Sequence, residues 1–309
     1  MTQIDAQATE GGLLKPGRWL RLRVMGWMIV LTVALIALAN IEPLGRLALH
    51  RPVGRSGPIG ALAGVALAYA AYVGAVWRGE RRRPAELALR PLPEELLYGL
   101  AIGAAMFALV FMILEWTGAY SLSPGGETQW LRAGAGALGA GLSEELVFRA
   151  LIFRLLMRAF GPWWALLASA ALFGAAHLMN PHASLMAGTA IAVEAGLMLA
   201  ALYLVTGRLW LAVGAHVAWN FTQGTIFGAA VSGHSEVGAL YLATLNRQHP
   251  DWLTGGDFGP EASLPAMLVG LAVFLLALLV WLRKRRGPAI VMRPAGTVVA
   301  APQEVESSS

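Results

Sequence analysis

The sequence predicts an all-α protein: a polytopic transmembrane helix bundle of about eight spans with a polar site inside the bundle. Three observations carry that expectation. Charged residues form 13% of the 309-residue chain and hydrophobic ones 57%, whereas a soluble chain carries roughly 25% charged residues. So little charge cannot cover a water-facing surface. Mean hydropathy is +0.60, which excludes intrinsic disorder for the body of the chain. Apolar runs near the ~20 residues that cross a bilayer recur along the length, and no alternating pattern of barrel strands appears. The absence of cysteine excludes a disulfide framework, an iron–sulfur cluster, a thiolate zinc site and a cysteine nucleophile.

In chain order, residues 1–17 read as a disordered tail. Spans at 24–41, 59–77 and 96–116 make an N-terminal transmembrane part, 18–129. The segment 130–228 holds spans at 130–153, 163–179, 184–205 and 209–227. A polar loop, 229–263, leads to a last span at 264–282 with its basic anchor, the unit 264–287, and 288–309 is a second disordered tail.

Orientation follows the basic residues. Lys15, Arg18, Arg21 and Arg23 precede the first span; Arg78, Arg81, Arg82, Arg83 and Arg90 follow the second. Arg154 and Arg158 follow the fourth, Arg208 the sixth, and Arg283, Lys284, Arg285 and Arg286 the eighth. Counting crossings puts all of them on one side, which makes both termini cytoplasmic and 229–263 extracytoplasmic. That loop carries Glu236, Asp251, Asp257 and Glu261 against Arg247, while Arg46, Arg51 and Arg55 in the loop 42–58 break the pattern. The net charge of +5 therefore reports membrane orientation. With no interleaving of basic and aromatic residues, no nucleic-acid partner is expected. The basic leader, apolar run and triplet Ala37-Leu38-Ala39 also fit a cleaved signal peptide; a retained first helix fits the charges equally well, and the other seven spans keep their orientation either way.

Ionisable groups inside a membrane cost about 2.5–3.5 kcal/mol each on the insertion scale and are candidates for function. They fall in three places: Ser143-Glu144-Glu145 with Arg149, Phe173 with His177, and His216 with Asn220. Glu145 and Arg149, four apart, face each other as an ion pair. Glu144, about 100° round the helix, points toward another helix. His216 and Asn220 share a face. A carboxylate, two imidazoles and an amide converging at low dielectric make a hydrolytic site, with the carboxylate taking a proton from water and the donors holding an oxyanion. Each group taken alone also has a structural reading, as a packing ion pair, an interfacial histidine or hydrogen-bond glue between helices. A secondary transporter would use the same residue types for proton coupling, although no inverted repeat is visible. A non-catalytic scaffold or immunity protein that keeps the polar core is a third class.

Glu144-Glu145 with Arg149, Phe173 with His177, and His216 with Asn220 resemble, in order and separation, the three motifs of the CPBP family. These are the CAAX-protease and bacteriocin-processing (Abi) intramembrane proteases. The resemblance covers about 130–227. It implies a CAAX prenyl protease-like endopeptidase of a bacterial cytoplasmic membrane, acting on a membrane-associated protein or peptide. It implies that Glu144, with His177, activates water, that His216 and Asn220 form the oxyanion pocket, and that Glu145, Arg149 and Phe173 support them. No cofactor is required on that reading; a metallo-type alternative would hold Zn²⁺ on Glu144, His177 and His216. Glu194, in the sixth span, has no motif partner and reads as structural. The block 254–261, Thr-Gly-Gly-Asp-Phe-Gly-Pro-Glu, resembles a bacterial subgroup without an assigned function. Depth poses a difficulty: with straight, level helices, His216 stands near the cytoplasmic start of its span and His177 near the opposite end of its own.

Overall fold

The structure is a computed structural model in which residues 12–41, 45, 58–235 and 238–286 are described. Arg46, Arg51, Arg55, Glu236 and the remainder of the two tails lie outside the described residues. Helix α1 is Leu20–Ala39, and α2, Pro58–Ala75, ends in a π-helical turn, Val76–Glu80. Helix α3 is Leu92–Trp116 and leads into strand β1, Tyr120–Pro124. Helix α4, Trp130–Glu145, continues through a π-helical stretch, Leu146–Phe153, into α5, Arg154–Phe160. Then come α6, Pro162–His177, and α7, Leu185–Ile191, the latter joined through a π-helical turn, Ala192–Leu197, to α8, Met198–Thr206. Helix α9, Trp210–Phe221, ends in a π-helical turn, Thr222–Ile226. Strand β2, Tyr241–Leu245, and the short helix α10, Asp251–Thr254, precede the last helix, α11, Leu264–Arg286.

The fold is largely helical. Among the described residues, five helices are long and apolar enough to cross a membrane: Leu20–Ala39, Gly60–Glu80, Leu92–Trp116, Leu185–Thr206 and Leu264–Arg286. Of the eight expected spans, five meet that length and apolarity. The segments 130–153, 163–179 and 209–227 miss on length or apolarity because they carry the site: Glu144, Glu145 and Arg149 interrupt the first, and α6 and α9 are short. The five long helices support an integral-membrane placement. Ile29, Val33, Met112, Leu131 and Leu276 are all exposed, an apolar outer surface that suits lipid better than water.

Small residues set how closely the helices approach. Helices α3 and α9 run side by side and parallel, Gly99 against Leu211 and Gly103 against Ala215. A Cβ on Gly103 would stand 2.1 Å from the Ala215 carbonyl oxygen, so backbones touch here as in other small-residue membrane interfaces. That contact fixes the height of α9 and of His216 upon it.

One end of the bundle is tied by ions. Arg154 donates to Glu80 (Nη2–Oε1 2.7 Å), Arg82 to both Glu80 and Glu86 (each 2.7 Å), and the Tyr72 hydroxyl to Glu86. Residues 12–17 form turns and bends against this end: Leu13 N–H donates to the Gly79 carbonyl (2.9 Å), and Arg158 to the Leu14 carbonyl (3.2 Å). The other end carries the β1–β2 antiparallel pair, from Tyr120 opposite Leu245 to Pro124 opposite Tyr241. Beside it, the segment that follows α9 folds back onto the bundle.

Candidate active site

Helix α4 delivers two adjacent carboxylates in its last turn. Glu145 is wholly buried, and its Oε1 accepts from Arg149 Nη1 at 2.8 Å, the pair that i,i+4 spacing predicts. The same oxygen accepts from His216 Nδ1 at 2.9 Å. Arg149, equally buried, gives Nη2 to the Ala195 carbonyl (3.0 Å) and lies 4.4 Å over the Phe173 ring. Phe173 is thus a platform: its ring also meets those of His177 (centroids 4.7 Å apart) and His216 (6.3 Å).

Glu144 turns the other way, about a third of its side chain exposed. Its Oε2 lies 3.9 Å from Nε2 of His177 and 3.9 Å from Nε2 of His216, and has no hydrogen-bond partner. The far nitrogen of each ring is committed: His177 Nδ1 donates to the Phe173 carbonyl at 2.8 Å, and His216 Nδ1 to Glu145. Both Nε2 atoms are therefore the ends aimed at Glu144. A polar gap of this width is too long for a direct hydrogen bond and has the span that a bridging water fits.

The separation in depth expected for His177 and His216 does not occur, because the helices do not start level. Arg154 Nε is 3.5 Å from Glu86 Oε1, and the Leu209 amide donates to the Glu86 carbonyl at 3.1 Å. The starts of α5 and α9 thus stand at one height. The chain continues through α5 before Gly161, at φ +83°, turns it into α6, which begins ~9 Å further out. That offset cancels most of the difference between His177, ~22 Å along α6, and His216, ~9 Å along α9.

Asn220, one turn on from His216, lines a pocket with Phe173, His177, His216, Glu194 and Glu261. Sequence reasoning left Glu194 as structural and gave the 254–261 block no role. The structure places Glu194 and Glu261, the last residue of that block, on this wall. The block's glycines explain how: Gly255, Gly256 and Gly259 adopt φ of +83°, +59° and +124°, conformations that L side chains rarely enter. The tight knot they make swings Glu261 into the bundle, where Ser232 donates to its Oε1 through N–H (2.7 Å) and Oγ–H (2.8 Å). Beyond the glycine count, no local signal marks Glu261, because its partners lie 29 residues away or more.

The donor types needed for zinc are present in Glu144, His177 and His216. Among the described residues, however, no three His, Asp or Glu side chains gather as a metal-ligand group.

A family model described as Type II CAAX prenyl endopeptidase Rce1-like matches residues 126–222. The match is a domain within the chain and contains Glu144, Glu145, Arg149, Phe173, His177, His216 and Asn220. Comparison with curated proteins and with solved structures yields no match.

Proposed function

We propose that the protein is a membrane-embedded endopeptidase of CAAX-protease type, hydrolysing a peptide bond of a membrane-associated protein or peptide. One observation carries the reading: a Glu144 carboxylate oxygen without a partner, 3.9 Å from each of two imidazole nitrogens whose rings are anchored from behind. That arrangement accepts a water molecule. Glu144 takes one of its protons while the water oxygen attacks the scissile carbonyl carbon, and His177 Nε2 orients the water. The carbonyl oxygen becomes an oxyanion held by His216 Nε2–H and the Asn220 amide. For His216 to donate from Nε2 while Nδ1–H binds Glu145, it carries protons on both nitrogens, and Glu145 is the counter-charge. Glu144 then passes its proton to the departing amine, which closes the balance.

The placement that goes with this reading is a bacterial cytoplasmic membrane with eight crossings, five by the long helices and three by the polar, interrupted ones. The catalytic unit is 130–228. The test is a cleavage assay on a peptide library with purified protein, with and without a chelator. Glu144→Gln is expected to abolish cleavage and leave the thermal midpoint in detergent within a few degrees of wild type. Full activity in that variant returns the cluster to a transporter or scaffold. Loss of wild-type activity on chelation assigns a zinc ion to the same three side chains.

A further inference from the structure

Behind the water-activating cluster the pocket continues as a narrow, partly open space. Its walls are apolar, from Ile191, Met198, Leu199 and Trp219, and its carboxylates, Glu194 and Glu261, stand on a lining that also includes His177 and His216. Both carboxylates are 2% exposed. Glu194 Oε2 has no hydrogen-bond partner. The Glu194 backbone has no room to withdraw, since α11 packs on it so closely that a Cβ on Gly270 would stand 2.5 Å from its Cα. The nearby cation, Arg149, spends Nη1 on Glu145 and Nη2 on the Ala195 carbonyl. Glu261 is held in place by the two Ser232 donors, and Ser232 sits at φ +48° to supply them, a strained conformation for a residue with a Cβ. Buried carboxylates are normally paired. Here two share one cavity with an orphaned oxygen between apolar walls.

We infer that this cavity is a subsite for a cationic side chain, Lys or Arg, of the residue beside the scissile bond, with Glu194 and Glu261 as its counter-charges. The inference rests on the hydrolytic reading above. The aliphatic stem would lie along Ile191, Met198 and Leu199, as such stems lie on apolar surface elsewhere. The ammonium or guanidinium would complete Glu194. His216 and Asn220 line the same cavity, so a side chain seated in it belongs to a residue flanking the carbonyl they hold.

The test compares peptides that differ only in Lys, Arg, Gln or norleucine at positions flanking the cleaved bond. Wild type is expected to favour Lys or Arg over norleucine in kcat/KM on the order of 10- to 100-fold, the worth of one charge-assisted hydrogen bond. That ratio should collapse in Glu194→Gln and fall in Glu261→Gln. Equal cleavage of the lysine and norleucine peptides by wild type, or an unchanged ratio in both variants, overturns the subsite. If no peptide is cleaved at all, the endopeptidase reading fails, and a thermal shift judges the subsite alone. n-Butylammonium should then stabilise wild type beyond n-butanol, with the excess lost in Glu194→Gln. Equal shifts in wild type and variant overturn it.

Discussion

Arg149 shows how much a single buried cation holds together. It is wholly buried, and it links Glu145, the Ala195 carbonyl and the Phe173 ring, so it joins α4 to the two elements that carry Glu194 and His177. Arg149→Ala leaves Glu145 with His216 alone, and breaking one side of a buried pair costs ~3–5 kcal/mol. The thermal midpoint in detergent should fall accordingly, and adding Glu145→Gln should recover part of the loss. A double-mutant cycle reads the coupling directly, and strict additivity would mean the two do not pair. Glu86 makes a second residue-scale case. Burial alone would push its carboxyl up, but the Arg82 hydrogen bonds and the Arg154 and Arg82 charges outweigh burial and hold it down at about 2. Its folded value lies below the unfolded ~4.3, so its contribution is complete above pH ~4.5 and is lost as pH falls toward 2. Thermal midpoints from pH 6 to 3 should drop more steeply in wild type than in Glu86→Gln; parallel curves would sink the assignment. The Glu145–Arg149 pair and the divergence of Glu144 were legible because four residues make one helical turn. The His216–Glu145 bond, across 71 residues, was not, since no local rule reports which helices meet.

At the scale of elements, the long apolar helices were legible from length alone, and the widened turns at the site were not. Three π-helical stretches lie beside polar residues there: Leu146–Phe153 with Arg149, Ala192–Leu197 with Glu194, and Thr222–Ile226 with Gln223. Such widened turns recur at functional sites, and they re-aim side chains in ways that a regular 3.6-residue period does not forecast. The height of α9 depends on α3 in the same non-local manner. Gly103 has no room for a methyl group, with the Ala215 carbonyl oxygen 2.1 Å from where a Cβ would stand. Gly103→Ala must therefore push α9 outward or sideways, at the ~1–3 kcal/mol typical of overpacking. The expected result is a lower thermal midpoint together with a reduced kcat, because His216 moves with the helix. A variant with both values at wild-type level would show that α3 does not position the site.

The whole molecule has two chemically different ends, and the candidate site belongs to one of them. The ionic end gathers Glu80, Arg82, Glu86, Arg154 and the basic tail of α11. The other end carries the β1–β2 pair and the returning segment that supplies Ser232 and Glu261 to the pocket. Basic residues concentrate on the cytoplasmic side of membrane proteins, and the orientation proposed from them puts the ionic end in the cytoplasm and the strand-bearing end outside. The chain has no cysteine, and each engineered thiol is therefore the single reporter in its variant. Ser123→Cys and Gln248→Cys sit on exposed residues of the strand-bearing end, and Ala88→Cys on an exposed residue of the ionic end. In intact spheroplasts, a membrane-impermeant maleimide should label the first two and reach Ala88→Cys only after lysis. The reverse pattern would invert the bundle, and the peptides offered to the Glu194–Glu261 cavity would then have to come from the cytoplasm.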